Sequence, residues 1–187
     1  MNIALIRTQR IAPLMLGGLL VATRAHFLAP LPDATLAVFF IAGLLGGGTL
    51  SFVGLLGAAA AADYLAITLQ GAGDWCITPA YAFLAPTYAC LWLAGKFSRR
   101  AQRSTLHRWL VGFAALGVGV SAAFFISNAS FYLFAGYFAQ MSPWEYAARV
   151  LRYFPAYAST AVVYVVASIA LHAFWANRNP ALSTPQT

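Results

Sequence analysis

The chain has 187 residues, of which 61% are hydrophobic and only 8% charged, with a mean hydropathy of +0.74. Soluble domains carry about 25% charged residues, so this composition excludes a soluble enzyme and indicates an all-α integral membrane protein with a single membrane domain. The net charge of +7 does not indicate nucleic-acid binding. Lys96, Arg99, Arg100, Arg103 and Arg108 form one inter-helix run, the pattern of a cytoplasmic loop, and no nucleic-acid-binding motif accompanies it.

Apolar runs bounded by polar and turn residues predict six transmembrane helices, at 9–25, 34–48, 50–70, 79–96, 108–133 and 155–175. The first could be read as a signal peptide, with its basic start and short apolar core. Gly17, Gly18 and Ala22 favour a retained helix that meets neighbours closely. Gly46-Gly47-Gly48 separates the second helix from the third. Arg7, Arg10, the 96–108 run and Arg178 fall on one side of a six-helix path, which places both termini in the cytoplasm. The loops near 26–33, 71–78 and 134–154 then face outward.

Asp63 follows an alanine run inside the third predicted helix. An ionisable group within a membrane segment is costly and is a functional candidate by default. The plainer alternative is a packing hydrogen bond to a neighbour such as Asn128. After this helix comes the loop Gly71-Ala72-Gly73-Asp74-Trp75-Cys76-Ile77-Thr78-Pro79. Thr78 and Pro79 predict the N-cap and first residue of the fourth helix. Cys76 stands just outside that terminus, where a helix dipole favours a thiolate, while Asp74 opposes one. A thiolate is a soft ligand for a transition metal. A closed site for a free ion needs about four protein ligands, so one cysteine suffices only for a metal carried by an organic cofactor. Cys90 lies mid-helix and reads as an inert apolar side chain; along one helix it would stand roughly 21 Å from Cys76, beyond disulfide reach. Pro86 predicts a kink in the fourth helix.

Ser142-Pro143-Trp144-Glu145 combines an N-cap serine, proline at the first helical position and a capping-box glutamate. It predicts a surface helix over 143–153, bent at Pro155 into the last spanning segment. Arg149 and Arg152 share one face of it, suited to lipid headgroups or to an anionic or amide-rich ligand. Tyr81, Tyr132, Tyr137, Tyr146, Tyr153 and Tyr157 all map to the outer half, as do Trp75 and Trp144. Such residues form an interfacial belt or a pocket for a large flat ligand. Of the histidines, His26 shares the outer face with Cys76, whereas His107 and His172 belong to the inner side.

The series His26, Asp63, Asp74-Trp75-Cys76 and Tyr81, in a chain of this length with six predicted helices, resembles the BtuM family. These are small bacterial membrane proteins related to the substrate-binding S-components of energy-coupling-factor transporters and specific for cobalamin. The resemblance implies a six-helix bundle of the S-component type in the bacterial inner membrane, with cobalamin bound at the outer face. It implies that Cys76 ligates the corrin cobalt in place of the dimethylbenzimidazole base, and that Asp63, Tyr81 and His26 line the pocket, with Arg149 nearby. It further implies cysteine-dependent decyanation of cyanocobalamin, and either an energy-coupling-factor module as partner or none. Three other readings compete: an S-component for another vitamin, which needs no thiol in this loop; a quinone-linked thiol-redox enzyme, which needs paired cysteines; and a structural subunit whose polar groups only pack helices.

Overall fold

The computed structural model describes residues 3–25, 31–101 and 104–178, with the backbone alone for 3–11, Cys76 and Ala176. Among the described residues seven α-helices follow one another: α1 (Ile3–Arg24), α2 (Thr35–Leu44), α3 (Thr49–Gln70), α4 (Leu84–Arg99), α5 (Thr105–Phe134), α6 (Pro143–Leu151) and α7 (Phe154–Arg178). Two 3-10 turns, Asp74–Cys76 and Pro79–Phe83, lie between α3 and α4. There is no strand among the described residues.

Three stretches, Thr49–Gln70, Thr105–Phe134 and Phe154–Trp175, are long and apolar enough to cross a membrane. At 1.5 Å per residue each exceeds the roughly 30 Å hydrocarbon core. Their outward faces carry Leu50, Val53, Val118, Phe125 and Val163, all exposed. Apolar surface on that scale is rare on a soluble monomer and is what lipid requires.

The predicted second helix differs most from the structure. Its regular part is ten residues, Thr35–Leu44, or about 15 Å, half of what a crossing needs. The chain turns at 45–48 instead of continuing to 48. Every residue from Thr35 to Gly43 is buried, as expected of a helix that is apolar all round. This short helix packs against α1, α3, α4 and α7, most extensively against α4. Two glycines permit that contact. A Cβ on Gly43 would stand 2.0 Å from the Trp92 carbonyl oxygen, and one on Gly95 would stand 2.1 Å from that of Phe40. Phe39 stacks on Tyr88 from the same pair of helices, with centroids 4.6 Å apart.

Proline and glycine set the outer connections. Gly71 ends α3 with φ at 66°, and its N–H and that of Ala72 both donate to the Ala66 carbonyl, closing orphan acceptors at the helix end. The fourth helix does not begin regularly at Pro79: residues 79–83 form a 3-10 turn and the α-helix starts at Leu84. The surface helix begins as its sequence predicts, with Ser142 Oγ accepting from the Glu145 N–H at 3.2 Å. The Glu145 carboxylate pairs with Arg149 at 2.7 Å. It ends at Leu151, two residues early, and α7 takes over at Phe154 with Pro155 in its first turn.

Candidate functional site

The polar centre of the end of the bundle that carries the 71–78 loop is an arginine at the last turn of α1. Arg24 donates through Nε to Asp63 Oδ1 at 2.6 Å and through Nη2 to Asp63 Oδ2 at 2.9 Å. This is the bidentate geometry that a planar guanidinium offers a carboxylate. Its Nη1 reaches Asp33 Oδ2 at 3.1 Å. The Tyr81 hydroxyl donates to Asp63 Oδ2 at 2.7 Å. Asp33 in turn accepts from the Thr35 N–H at 2.8 Å, an Asx turn that fixes the start of α2. Four segments distant in sequence are thus tied at one point.

Each partner is where its local structure puts it. Asp63 comes from the face of α3 that packs on α1. Tyr81 is presented by the 3-10 turn before α4. The last turn of α1 is braced by Thr23 Oγ1, which accepts from the Ala34 N–H at 3.1 Å, and by Gln70, which donates to the Ala25 carbonyl. The Arg24 and Asp63 side chains are 16% and 20% exposed. At that burial an ion pair is held only when its remaining hydrogen-bonding positions are filled. Here Tyr81 fills one of them.

Above this cluster opens a cavity of about 700 Å³. Its floor is Arg24, Asp63 and Tyr81. One wall is the 71–78 loop through Ala72, Gly73, Trp75 and Ile77, and the opposite wall is α5 and α6 through Asn128, Phe131, Tyr146 and Arg149. A second cavity, of about 490 Å³, is also lined by Arg24, together with Asp33, Thr87, Tyr88 and Tyr157 among others. Arg24, Leu84, Ser127 and Tyr153 line both.

The aromatic side chains divide between wall and belt. Trp75, Phe131, Phe138, Tyr146 and Tyr153 line the larger cavity. Phe138 packs on Tyr146 at 4.7 Å and on Phe131 at 5.6 Å between centroids. Burial raises the Tyr146 phenol above its ordinary value. The Tyr137 hydroxyl donates to the Trp75 carbonyl at 3.0 Å, fastening the 71–78 loop to the loop after α5. Trp144, by contrast, is 86% exposed at the start of α6, in the manner of an interfacial anchor.

Of the five residues selected from sequence, Asp63, Tyr81 and Arg149 line this one cavity. Cys76 is the last residue of the 3-10 turn between Trp75 and Ile77, both of which line it; its side chain lies outside what the structure describes. His26 also lies outside the described residues. The packing bonds of Asp63 go to Arg24 and Tyr81 and not to Asn128, whose Nδ2 donates to its own helix at the Phe124 carbonyl. The helix terminus expected beside Cys76 is present, with Thr78 at the N-cap and Pro79 at the first position, and its first five residues are a 3-10 turn that runs directly into α4 at Leu84. Arg24 itself was missed by the sequence reading. The available signal was a cation at the outer end of the first helix, against the charge bias, with two carboxylates at similar depth.

Among the described residues no cluster of three or more His, Cys, Asp or Glu side chains could hold a metal ion. No family model and no curated protein compared with the chain gives a match.

Proposed function

We propose that the chain is a cobalamin-binding transport protein of the bacterial inner membrane, a six-helix bundle of the energy-coupling-factor S-component type that takes up the corrinoid at its outer face. The observation that carries this reading is the cavity of about 700 Å³ whose wall is the loop bearing Cys76 and whose floor is Asp63 and Tyr81. Aromatic walls suit a large flat ligand. The polar groups that converge on the floor suit its amide edge.

On this reading Cys76 ligates the cobalt from below, and the corrin supplies the metal's other ligands, so a single protein donor is sufficient. Arg149, which lines the cavity, would contact the ligand on this reading, and the resemblance assigns His26 to the same pocket. A corrinoid with its amide arms is larger than the cavity, so its lower face enters and its upper face stays toward the open mouth. Decyanation belongs to the same reading, as does an energy-coupling-factor module as optional partner.

The test is the visible absorption spectrum of the detergent-purified protein after growth with cyanocobalamin, beside Cys76→Ala and Cys90→Ala. Corrin bands should co-purify, shift or vanish in Cys76→Ala, and persist unchanged in Cys90→Ala. Cyanide should be released by the parent protein and not by Cys76→Ala. A colourless protein that takes up no added cobalamin would sink the proposal. The rival favoured by a specific observation is an S-component for another vitamin, because the Arg24–Asp63–Tyr81 floor binds polar ligands without a thiol.

A further inference from the structure

The proposed corrinoid site uses only the larger cavity. The second one, of about 490 Å³, adjoins it, since Arg24, Leu84, Ser127 and Tyr153 line both. Its size falls within the range of pockets that hold a ligand on their own. A corrinoid exceeds the larger cavity, and any arm it directs inward needs space beside it. The lining of the second cavity decides what kind of arm can enter.

Its charges disfavour an anion. Arg24 and Asp33 both line it, and two carboxylates share the one guanidinium. Nε and Nη2 are engaged by Asp63 and Nη1 by Asp33. A carboxylate or phosphate entering here would face Asp33 across an arginine already committed to other partners. An ammonium group would give up its hydration for a carboxylate whose charge is spent on Arg24.

The hydroxyls select in the same direction. Thr87 Oγ1 donates to the Phe83 carbonyl at 2.8 Å, and Thr160 Oγ1 donates to the Ala156 carbonyl at 2.9 Å. The Thr35 hydroxyl donates to Asp33. A hydroxyl has one proton and two lone pairs, so these three threonines can only accept from a ligand. All three line the cavity, and Thr35 and Thr87 are buried. The α7 side adds Tyr157, whose ring packs edge-on to Phe124 with centroids 5.3 Å apart and whose phenol donates as well as accepts. A primary carboxamide answers this set without a net charge. Its N–H groups meet the threonine oxygens and its carbonyl takes the tyrosine proton.

We infer that the second cavity is a compartment of the same binding site, taking an uncharged amide arm of the ligand through Thr87, Thr160 and Tyr157. The inference rests on the corrinoid reading of the larger cavity. The probes are cyanocobalamin and its monocarboxylates, in each of which one primary amide arm is hydrolysed to an acid. Equilibrium dialysis against the detergent-purified full chain gives Kd, and the visible spectrum of the bound corrin reports the cobalt ligand separately. At least one monocarboxylate should bind about ten-fold more weakly than cyanocobalamin, and Asp33→Asn should close most of that gap. Thr87→Val and Tyr157→Phe should each weaken cyanocobalamin about five-fold, the worth of one hydrogen bond, without changing its spectrum. Thr87→Ser, which keeps the oxygen, should restore the affinity. Thr68→Val, on α3 with the same bond to its own helix, should leave it unchanged. Circular dichroism of each variant checks that the helices are retained. Cyanocobalamin that binds equally well to the parent, Thr87→Val and Tyr157→Phe overturns the compartment and leaves the corrinoid site standing, as does equal affinity for the amide and every acid. A parent protein that binds no cyanocobalamin overturns both.

Discussion

Removing the guanidinium at Arg24 should be the most damaging single change around the cavity. Arg24→Met keeps an unbranched apolar stem but leaves Asp63 and Asp33 without their shared cation. With Arg24 and Asp63 both about four-fifths buried, breaking the pair costs about 3–5 kcal/mol. A domain of this size loses about 2–4 °C in Tm per kcal/mol, which gives a fall of about 6–20 °C. Thermal unfolding in detergent, followed by circular dichroism, measures it. The geometry also ranks the two carboxylates. Asp33 is 41% exposed and its pairing is screened by water, so Asp33→Asn should cost no more than about 1 kcal/mol. Asp63→Asn should cost several times as much. In the double variant Arg24→Met/Asp63→Asn no unpaired charge remains at position 63, and the loss should fall short of the two single losses combined by about 2 kcal/mol. Additive losses, or a Tm within about 2 °C of the parent for Arg24→Met, would refute the claim that this ion pair organises the site.

Two further outcomes concern packing and capping. Gly95→Ala should destabilise by at least about 3 kcal/mol, because its methyl would meet the Phe40 carbonyl at 2.1 Å and force α2 off α4; Gly57→Ala, with nothing within 4 Å of its Cβ, should be neutral or slightly stabilising in the same melt. Ser142→Ala should cost about 1 kcal/mol, seen as faster amide exchange confined to α6, since Ser142 Oγ is the acceptor for the Glu145 N–H.

Much of the helical layout is legible because each signal is local. Gly46-Gly47-Gly48 interrupts an apolar run, and the chain turns there. Ser142 and Pro143 carry the stereochemistry of a helix start, and α6 begins at Pro143. The length of α2 is not legible in this way. Its sequence, TLAVFFIAGL, is as apolar as any membrane segment, and apolarity alone does not distinguish lipid from protein as the surrounding medium. Only the packing of α4 through Gly43 and Gly95 shows that protein covers it. The 3-10 form of residues 79–83 is not legible for a related reason: proline at 79 fixes a φ compatible with both an α-helix and a 3-10 turn.

The site divides along the same line. Asp63 stands out in sequence because a carboxylate in an alanine-rich membrane helix is costly wherever it points. Tyr81 follows from its position just after the loop. Arg24 escaped notice because an arginine at a helix end is normally explained by snorkelling to the interface, which requires no partner. What distinguishes it is a pairing across 39 residues with Asp63 and across 9 with Asp33, information that exists only once α1, α2 and α3 are assembled. The assembled cluster also changes what Asp63 can do. A lone carboxylate at this depth would be free to take a proton or ligate a cation; one that accepts two bonds from a guanidinium and a third from Tyr81 is committed to holding the cavity floor. A ligand seated there meets a fixed array of partly satisfied polar groups rather than a mobile charge, and its selectivity then depends on the shape of the walls and on the one loop that carries Cys76.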